Sequence, residues 1–229
     1  LYKTNNIKQM KLIHIDHPNI PTAMRSAFEK KVTDIAAWLG IDPNWLMQVM
    51  YAESKMNARA KNIQQGRLIA AGLLQWTKAS GLPGAPKTVL QYNHLQQLDW
   101  VKKYFTPYRG KMHSYFDVYL VTFFPAAVGQ GDGYVFATRK LPASLIAHQN
   151  PAINTVKDGK ITMAEFKQYV WSSTPVTVRN LVFATEQVVE AVKAKAAKVI
   201  SAVKEDTDPL TDAAAGIGTI LAFFFSSAA

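Results

Sequence analysis

The 229-residue, 25.4 kDa chain is long enough for one full-sized core plus an appendage. Its 48% hydrophobic and 18% charged residues exclude a disordered chain and a polytopic membrane protein, and the absence of cysteine excludes disulfides, thiolate metal sites and a cysteine nucleophile. The net charge of +10 is unevenly placed: residues 1–172 hold 21 Lys and Arg against 10 Asp and Glu, whereas residues 173–229 hold 5 against 6. The first part therefore suits a polyanion such as nucleic acid, anionic lipid or cell-wall polymer. No nucleic-acid motif accompanies the charge and the cations are scattered, so no specific nucleic-acid partner is expected.

Residues 1–19 lack the charged-then-apolar layout of a secretory signal and read as an N-terminal extension. Pro21-Thr22 opens a helix in which Met24, Phe28, Val32, Ile35, Ala36 and Leu39 keep the 3.6-residue period up to a capping Gly40. A second helix starts at once, with Asp42 as N-cap and Pro43 at its first position. From Asn57 to Lys87 the period breaks up among Gly66, Gly72, Gly81 and Gly84, which predicts a loop wall with a short hairpin. Leu95, Leu98, Val101 and Phe105 predict another helix, and Phe116, Tyr119, Leu120 and Phe123 a further one stopped by Pro125. Residues 20–172 thus read as a mainly α domain with one glycine-rich wall.

Beyond it, Ser172-Ser173-Thr174-Pro175 reads as a linker within a 173–208 segment. There Val182, Thr185, Val189, Val192, Ala196, Val199 and Val203 recur by three and four. That pattern fits a heptad seam for a partner or a second copy, or an amphipathic helix lying on the body. Residues 209–229 form the tail; its apolar run, Ala213 to Phe225, is thirteen residues, and even the seventeen to Ala229 only approach the ~20 a bilayer span needs, leaving insertion into a membrane or burial in protein as its two readings.

Glu53 interrupts this apolar logic. Leu46, Val49, Met50 and Glu53 fall at i, i+3, i+4 and i+7, so a carboxylate occupies the inward stripe. Without a cation or several donors such a group has a raised pKa and is partly protonated near neutrality, the state a general acid requires. The bland reading is a Glu paired with Arg59 or Arg67. The other glutamates of residues 1–172 have ready structural roles: Glu29 off the apolar stripe at an exposed position, and Glu165 in a Thr-x-x-Glu capping box after Thr162.

Glu53-Ser54, followed by Gly72-Leu73-Leu74-Gln75, resembles the Glu-Ser and Gly-Leu-Met-Gln motifs of lytic transglycosylases and goose-type lysozymes. The run Leu39 to Leu46 is similar to phage and bacterial members of that superfamily, and the resemblance covers roughly residues 20 to 130. It implies a lysozyme-like helical domain that binds peptidoglycan. Glu53 would protonate the oxygen leaving between N-acetylmuramic acid and N-acetylglucosamine, then act as base while the muramyl 6-hydroxyl closes a 1,6-anhydro ring. A hydrolytic lysozyme is the neighbouring alternative, and a wall-binding structural or plug component the alternative of another class. Ser54 comes with the motif; Gln75 is expected to bind sugar or to steady its loop. Tyr51, Trp76 and Tyr92 are candidate sugar-stacking rings and equally candidates for the core. The family's Ala-Tyr-Asn-Ala-Gly motif is replaced by Phe123-Phe124-Pro125-Ala126-Ala127, with Tyr119 one turn earlier as a substitute hydroxyl. The resemblance, the heptad pattern and the tail together imply delivery by a phage virion or tail, or by a contractile injection or secretion machine, to the bacterial periplasm or wall. No cofactor is implied.

Asn154 to Glu165, within residues 150–166, resembles an EF-hand loop, with Asn154, Asp158, Gly159, Thr162 and Glu165 at positions 1, 5, 6, 9 and 12. Val156 at position 3 has no ligating side chain, and Lys157 and Lys160 add repulsion. The expectation is a degenerate loop held by its own hydrogen bonds, with calcium as the alternative. His14, His17, His94, His113 and His148 share no helical face and no metal spacing.

Overall fold

The computed structural model describes residues 11–184. The seam from Thr185 to Val203 and the apolar tail lie outside the described residues. Within them the fold is mainly α: seven helices and one small three-stranded sheet. None of these helices is long and apolar enough to cross a membrane.

Helix α1 (Arg25–Leu39) follows a single 3₁₀ turn, Thr22–Met24, and buries Phe28, Val32, Ile35, Ala36 and Leu39. Gly40 ends it at φ 76°, where its N–H closes onto Ala36 and Ala37. Helix α2 (Pro43–Ser54) begins with the Asp42 side chain accepting from Asn44 N, and Pro43 loses no bond there. It is buried on most sides: Trp45 to Met50 are all inside. The α1 helix packs against α2 and against α3 (His94–Phe105), while α2 also meets α4 (Tyr115–Phe123). A capping box of Asn93 and Gln96 starts α3, and Pro125 follows the end of α4.

The glycine-rich wall is an antiparallel meander of β1 (Lys61–Gln64), β2 (Arg67–Ala71) and β3 (Trp76–Thr77), one strand more than a hairpin. Gln65 and Gly66, both with positive φ, make the β1–β2 turn. Ala71 stands opposite Lys61 on one side and Trp76 on the other.

Both expected boundaries of the 20–172 domain shift outward. In the extension, Leu12, Ile13, Ile15 and Ile20 are core residues. Leu12 N donates to Glu29 Oε1 (3.0 Å) and Ile13 N to Asn44 Oδ1 (3.0 Å), so part-buried Glu29 is an anchor and not a free surface acid. At the other end, α6 (Met163–Ser173) runs through part of the expected linker into a turn stitched by Thr174 Oγ1 to Val170 O and by the Arg179 guanidinium to Ser172 O and Thr174 O. Helix α7 (Val176–Val182) then returns to α2, burying Val182 and Phe183, and Trp45 Nε1 donates to Val182 O at 2.8 Å. Val182, first residue of the expected seam, belongs to the body. A sequence pattern shows that a residue is apolar at a given spacing; which surface covers it depends on residues 137 positions away.

Candidate active site

Glu53 sits in the last turn of α2 and faces α4. The Thr122 hydroxyl lies 3.5 Å from Glu53 Oε1 while donating to Tyr119 O at 2.8 Å. Neither Arg59 nor Arg67 pairs with it; both are exposed, and the ion pairs of the described residues do not include Glu53. Burial from water raises its pKa from 4.5 to about 7, and the Thr122 hydroxyl only partly opposes that rise. No second carboxylate acts on its ionisation.

Three phenols feel the charge of this acid. Tyr104, Tyr115 and Tyr119 each have their ionisation pushed up, first by burial, with the negative charge of Glu53 adding to the rise. Tyr119 is one of them, its ring stacked on Tyr115 at 6.0 Å. The hydroxyl of Tyr104 donates to Val121 O (3.1 Å), the neighbour of Thr122. Behind Tyr115, the buried Gln48 side chain hydrogen-bonds its hydroxyl and accepts from His14 Nε2 at 2.7 Å. Near pH 7 the arrangement offers a carboxyl group that is about half protonated, in the company of neutral phenols.

The motif around Gly72 is structural in its details. Gly72 has φ 80°, and a Cβ there would collide with Val89 Cγ1 and lie 2.5 Å from Gln97 Oε1. That buried Gln97 accepts from Leu73 N (2.8 Å) and donates to Ala58 O (2.7 Å) and Tyr92 O (3.1 Å), joining the loop after β2 to the loop before β1. Gln75, at φ 50°, turns its amide back to Gly72 O at 3.1 Å, so it steadies the loop.

Several expected substrate contacts are otherwise engaged. Ser54 is buried and its hydroxyl donates to Met50 O at 2.9 Å. The Tyr51 ring has His14 stacked at 3.9 Å and the Lys55 ammonium 4.2 Å from its centroid. Trp76 is a core residue, edge-on to Tyr104 at 5.2 Å. Tyr92 is part-buried and stacks on Trp100 at 6.4 Å. The residues missing from the sequence reading are Thr122, Tyr104, Tyr115, Gln48 and Gln97. No spacing signal marks them: Thr122, Tyr104, Tyr115 and Gln97 come from other elements, and Gln48, on α2 itself, is an amide without a periodic signature.

Phe123-Phe124-Pro125 serves packing. Phe124 stacks on Phe136 (5.1 Å) and Phe123 on Phe166 (5.3 Å), which fastens the segment after α4, including α5 (Ala143–Gln149) and α6, to the body. Two open depressions mark the surface of the described residues. The larger, about 400 Å³, is lined by Gly40, Ile41, Asp42, Trp45, Met112 and His113 and includes no member of the Glu53 group. The smaller, about 260 Å³, shares Tyr104 with it.

In the EF-hand-like loop, Glu165 is tied off. Its Oε1 accepts from Val156 N (3.1 Å) and Thr155 Oγ1 (3.3 Å), its Oε2 from Thr162 N and Thr162 Oγ1 (both 2.9 Å). Burial raises its pKa, and these donors together outweigh that and hold it below the usual carboxylate value. Asp158 accepts from Lys160 N and pairs with the Lys160 ammonium, while Asn154 Oδ1 is buried without a partner. Among the described residues no three His, Asp or Glu side chains converge as a metal centre. No protein-family model, no curated protein and no solved structure matches the chain.

Proposed function

We propose that this protein is a peptidoglycan-cleaving lytic transglycosylase with a lysozyme-like helical domain, in which Glu53 is the single catalytic acid and base. The observation that carries the reading is Glu53 itself: a carboxyl group raised to about 7 by burial, without an ion-pair partner and without a second carboxylate acting on it. Ordinary glycosidases need two carboxyl groups at a defined separation. A reaction in which the substrate's own 6-hydroxyl is the nucleophile needs one, first donating a proton to the leaving oxygen and then taking one from the attacking hydroxyl. In this reading Thr122, which reaches Glu53, and the phenols of Tyr119 and Tyr104 are the polar groups available to the substrate. The positive balance of residues 1–172 favours approach to an anionic wall.

Delivery by a virion, tail or contractile injection machine, with residues 185–229 engaging that machine, a membrane or a second copy, completes the reading. The decisive experiment digests purified peptidoglycan and identifies products by mass spectrometry. Ends in 1,6-anhydro-muramic acid are expected from the unsubstituted chain, and no release from Glu53→Gln. Reducing ends would make it a hydrolytic lysozyme; full clearing by Glu53→Gln would remove Glu53 from catalysis. Binding to the wall with no release by either form would leave the non-catalytic, plug-like reading, which the use of Phe123 and Phe124 for packing favours.

A further inference from the structure

The cations of residues 1–172 are spread along the chain, but the acids are not. Between Glu53 and Asp99 there is no Asp or Glu, the longest such run in the sequence, and it holds Lys55, Arg59, Lys61, Arg67, Lys78 and Lys87. Six cations against a net charge of +10 thus come from the stretch that folds as the meander and its flanking loops. All six are exposed, and none enters an ion pair among the described residues. A surface with cations and no counter-charge attracts anions. The β1–β2 hairpin adds a second property. Strand β1 is exposed along its whole length, and Ile63 (60% exposed) and Ile69 (38%) leave large aliphatic surface in water within the same hairpin as Lys61 and Arg67. At its turn, a Cβ built on Gly66 would meet nothing within 4 Å, so no other part of the body covers the turn there.

We propose that the β1–β2 hairpin docks the protein on an anionic phospholipid surface, with Ile63 and Ile69 entering the interface and Arg59, Lys61 and Arg67 meeting the headgroup phosphates. Charge alone suits any polyanion; the isoleucines select among them, because acyl chains remove them from water and a sugar or phosphate polymer does not. An added strand from a partner protein fits less well. The β1 edge is four residues long, begins with Lys61 and breaks register between Asn62 and Ile63, all of which blunt an edge against pairing. A nucleic acid would call for rings on which bases stack. The two aromatic residues of the acid-free stretch are spoken for: Trp76 is in the core and Tyr92 stacks on Trp100. This docking goes beyond the chemistry of Glu53 and does not depend on it.

The chain has no cysteine, so Gln64→Cys, exposed at the end of β1, gives the full chain a single thiol for a nitrobenzoxadiazole fluorophore. The probes are vesicles of phosphatidylcholine alone and vesicles in which about a third of the lipid is phosphatidylglycerol. The anionic vesicles are expected to brighten the label and shift its emission to the blue, neutral vesicles to leave it unchanged, and about 0.5 M salt to reverse the effect. Lys61→Gln with Arg67→Gln should weaken vesicle affinity at least about tenfold, near fivefold for each cation removed. Ile63→Ser with Ile69→Ser should weaken it about tenfold and abolish the blue shift. Ile63→Ser alone, at the more exposed position, replaces that pair if the double variant does not fold. The label reports only its own surroundings, so vesicles held through residues 209–229 alone would leave it unchanged. An unchanged label on anionic vesicles, an equal response to neutral ones, or indifference to both sets of substitutions would overturn the docking. Binding of purified wall or single-stranded DNA that depends on Lys61 and Arg67, with no response to vesicles, would overturn it in favour of a polymer. Glu53→Gln should dock like the parent, so this inference and the catalytic reading fail separately.

Discussion

Glu53 owes its chemistry to what is missing around it. A carboxyl on the inward face of α2 without a cation keeps its proton up to about pH 7, so the acid-dependent step should fall off as a single ionisation above that pH. Rates of wall release measured from pH 5 to 9 check this, and a profile flat to pH 9 would deny Glu53 the acid role. Stability follows the same shift. Between the unfolded value near 4.5 and the folded value near 7 the native state holds more proton than the unfolded state, so the protein loses stability as pH rises through that window. Glu53→Gln, which removes the ionisation, should therefore melt above the parent at pH 8 and close to it at pH 4.5. The difference is on the order of 1–3 kcal/mol, a few degrees for a body of this size. Thermal scans at the two pH values decide it.

Among elements, the meander and its glycine are held from outside by α3. Gly72→Ala combines a positive φ with a collision against Val89 and Gln97, and should cost about 2–4 kcal/mol, lowering the denaturation midpoint without altering the helix content of what remains folded. Gln97→Leu keeps volume but strands Ala58 O, Tyr92 O and Leu73 N, and should cost a similar amount. The 154–165 loop behaves as a closed unit. With four donors already on Glu165 and Lys160 on Asp158, millimolar calcium should move the melting temperature by less than about 2 °C. A rise of many degrees, reversed by chelator, would show Asn154 Oδ1 to be a ligand awaiting its ion.

For the whole molecule, α7 sets where the body ends. A chain stopped at Thr174 loses Val182 and Phe183 from the core and leaves the Trp45 N–H without its acceptor, a loss of about 3–6 kcal/mol that should lower the melting temperature by roughly 10 °C or more. A chain stopped after residue 184 should melt like the full chain and retain its activity on isolated wall. Equal melting of all three would mean that α7 contributes nothing to the body.

The sequence by itself determined the helices whose cause is local: α1 and α2 with their caps, α3, α4 and its proline stop, and the capping box of Thr162 and Glu165. It also singled out Glu53, because an acid at an apolar position is a conflict visible along one helix. Only the tertiary structure decided what surrounds that acid. Thr122, Tyr104, Tyr115 and Gln48 come from three helices, and hydroxyls and amides carry no period by which to find them. The same cause moved the domain edges. Leu12, Ile13, Val182 and Phe183 look like any apolar residues until α1 and α2 give them a surface, and the sequence left Tyr51 and Trp76 between sugar-stacking and core roles, a choice that the packing of His14, Lys55 and Tyr104 against them decides. Burial is a property of what packs against a residue, and that partner is rarely its neighbour in the chain.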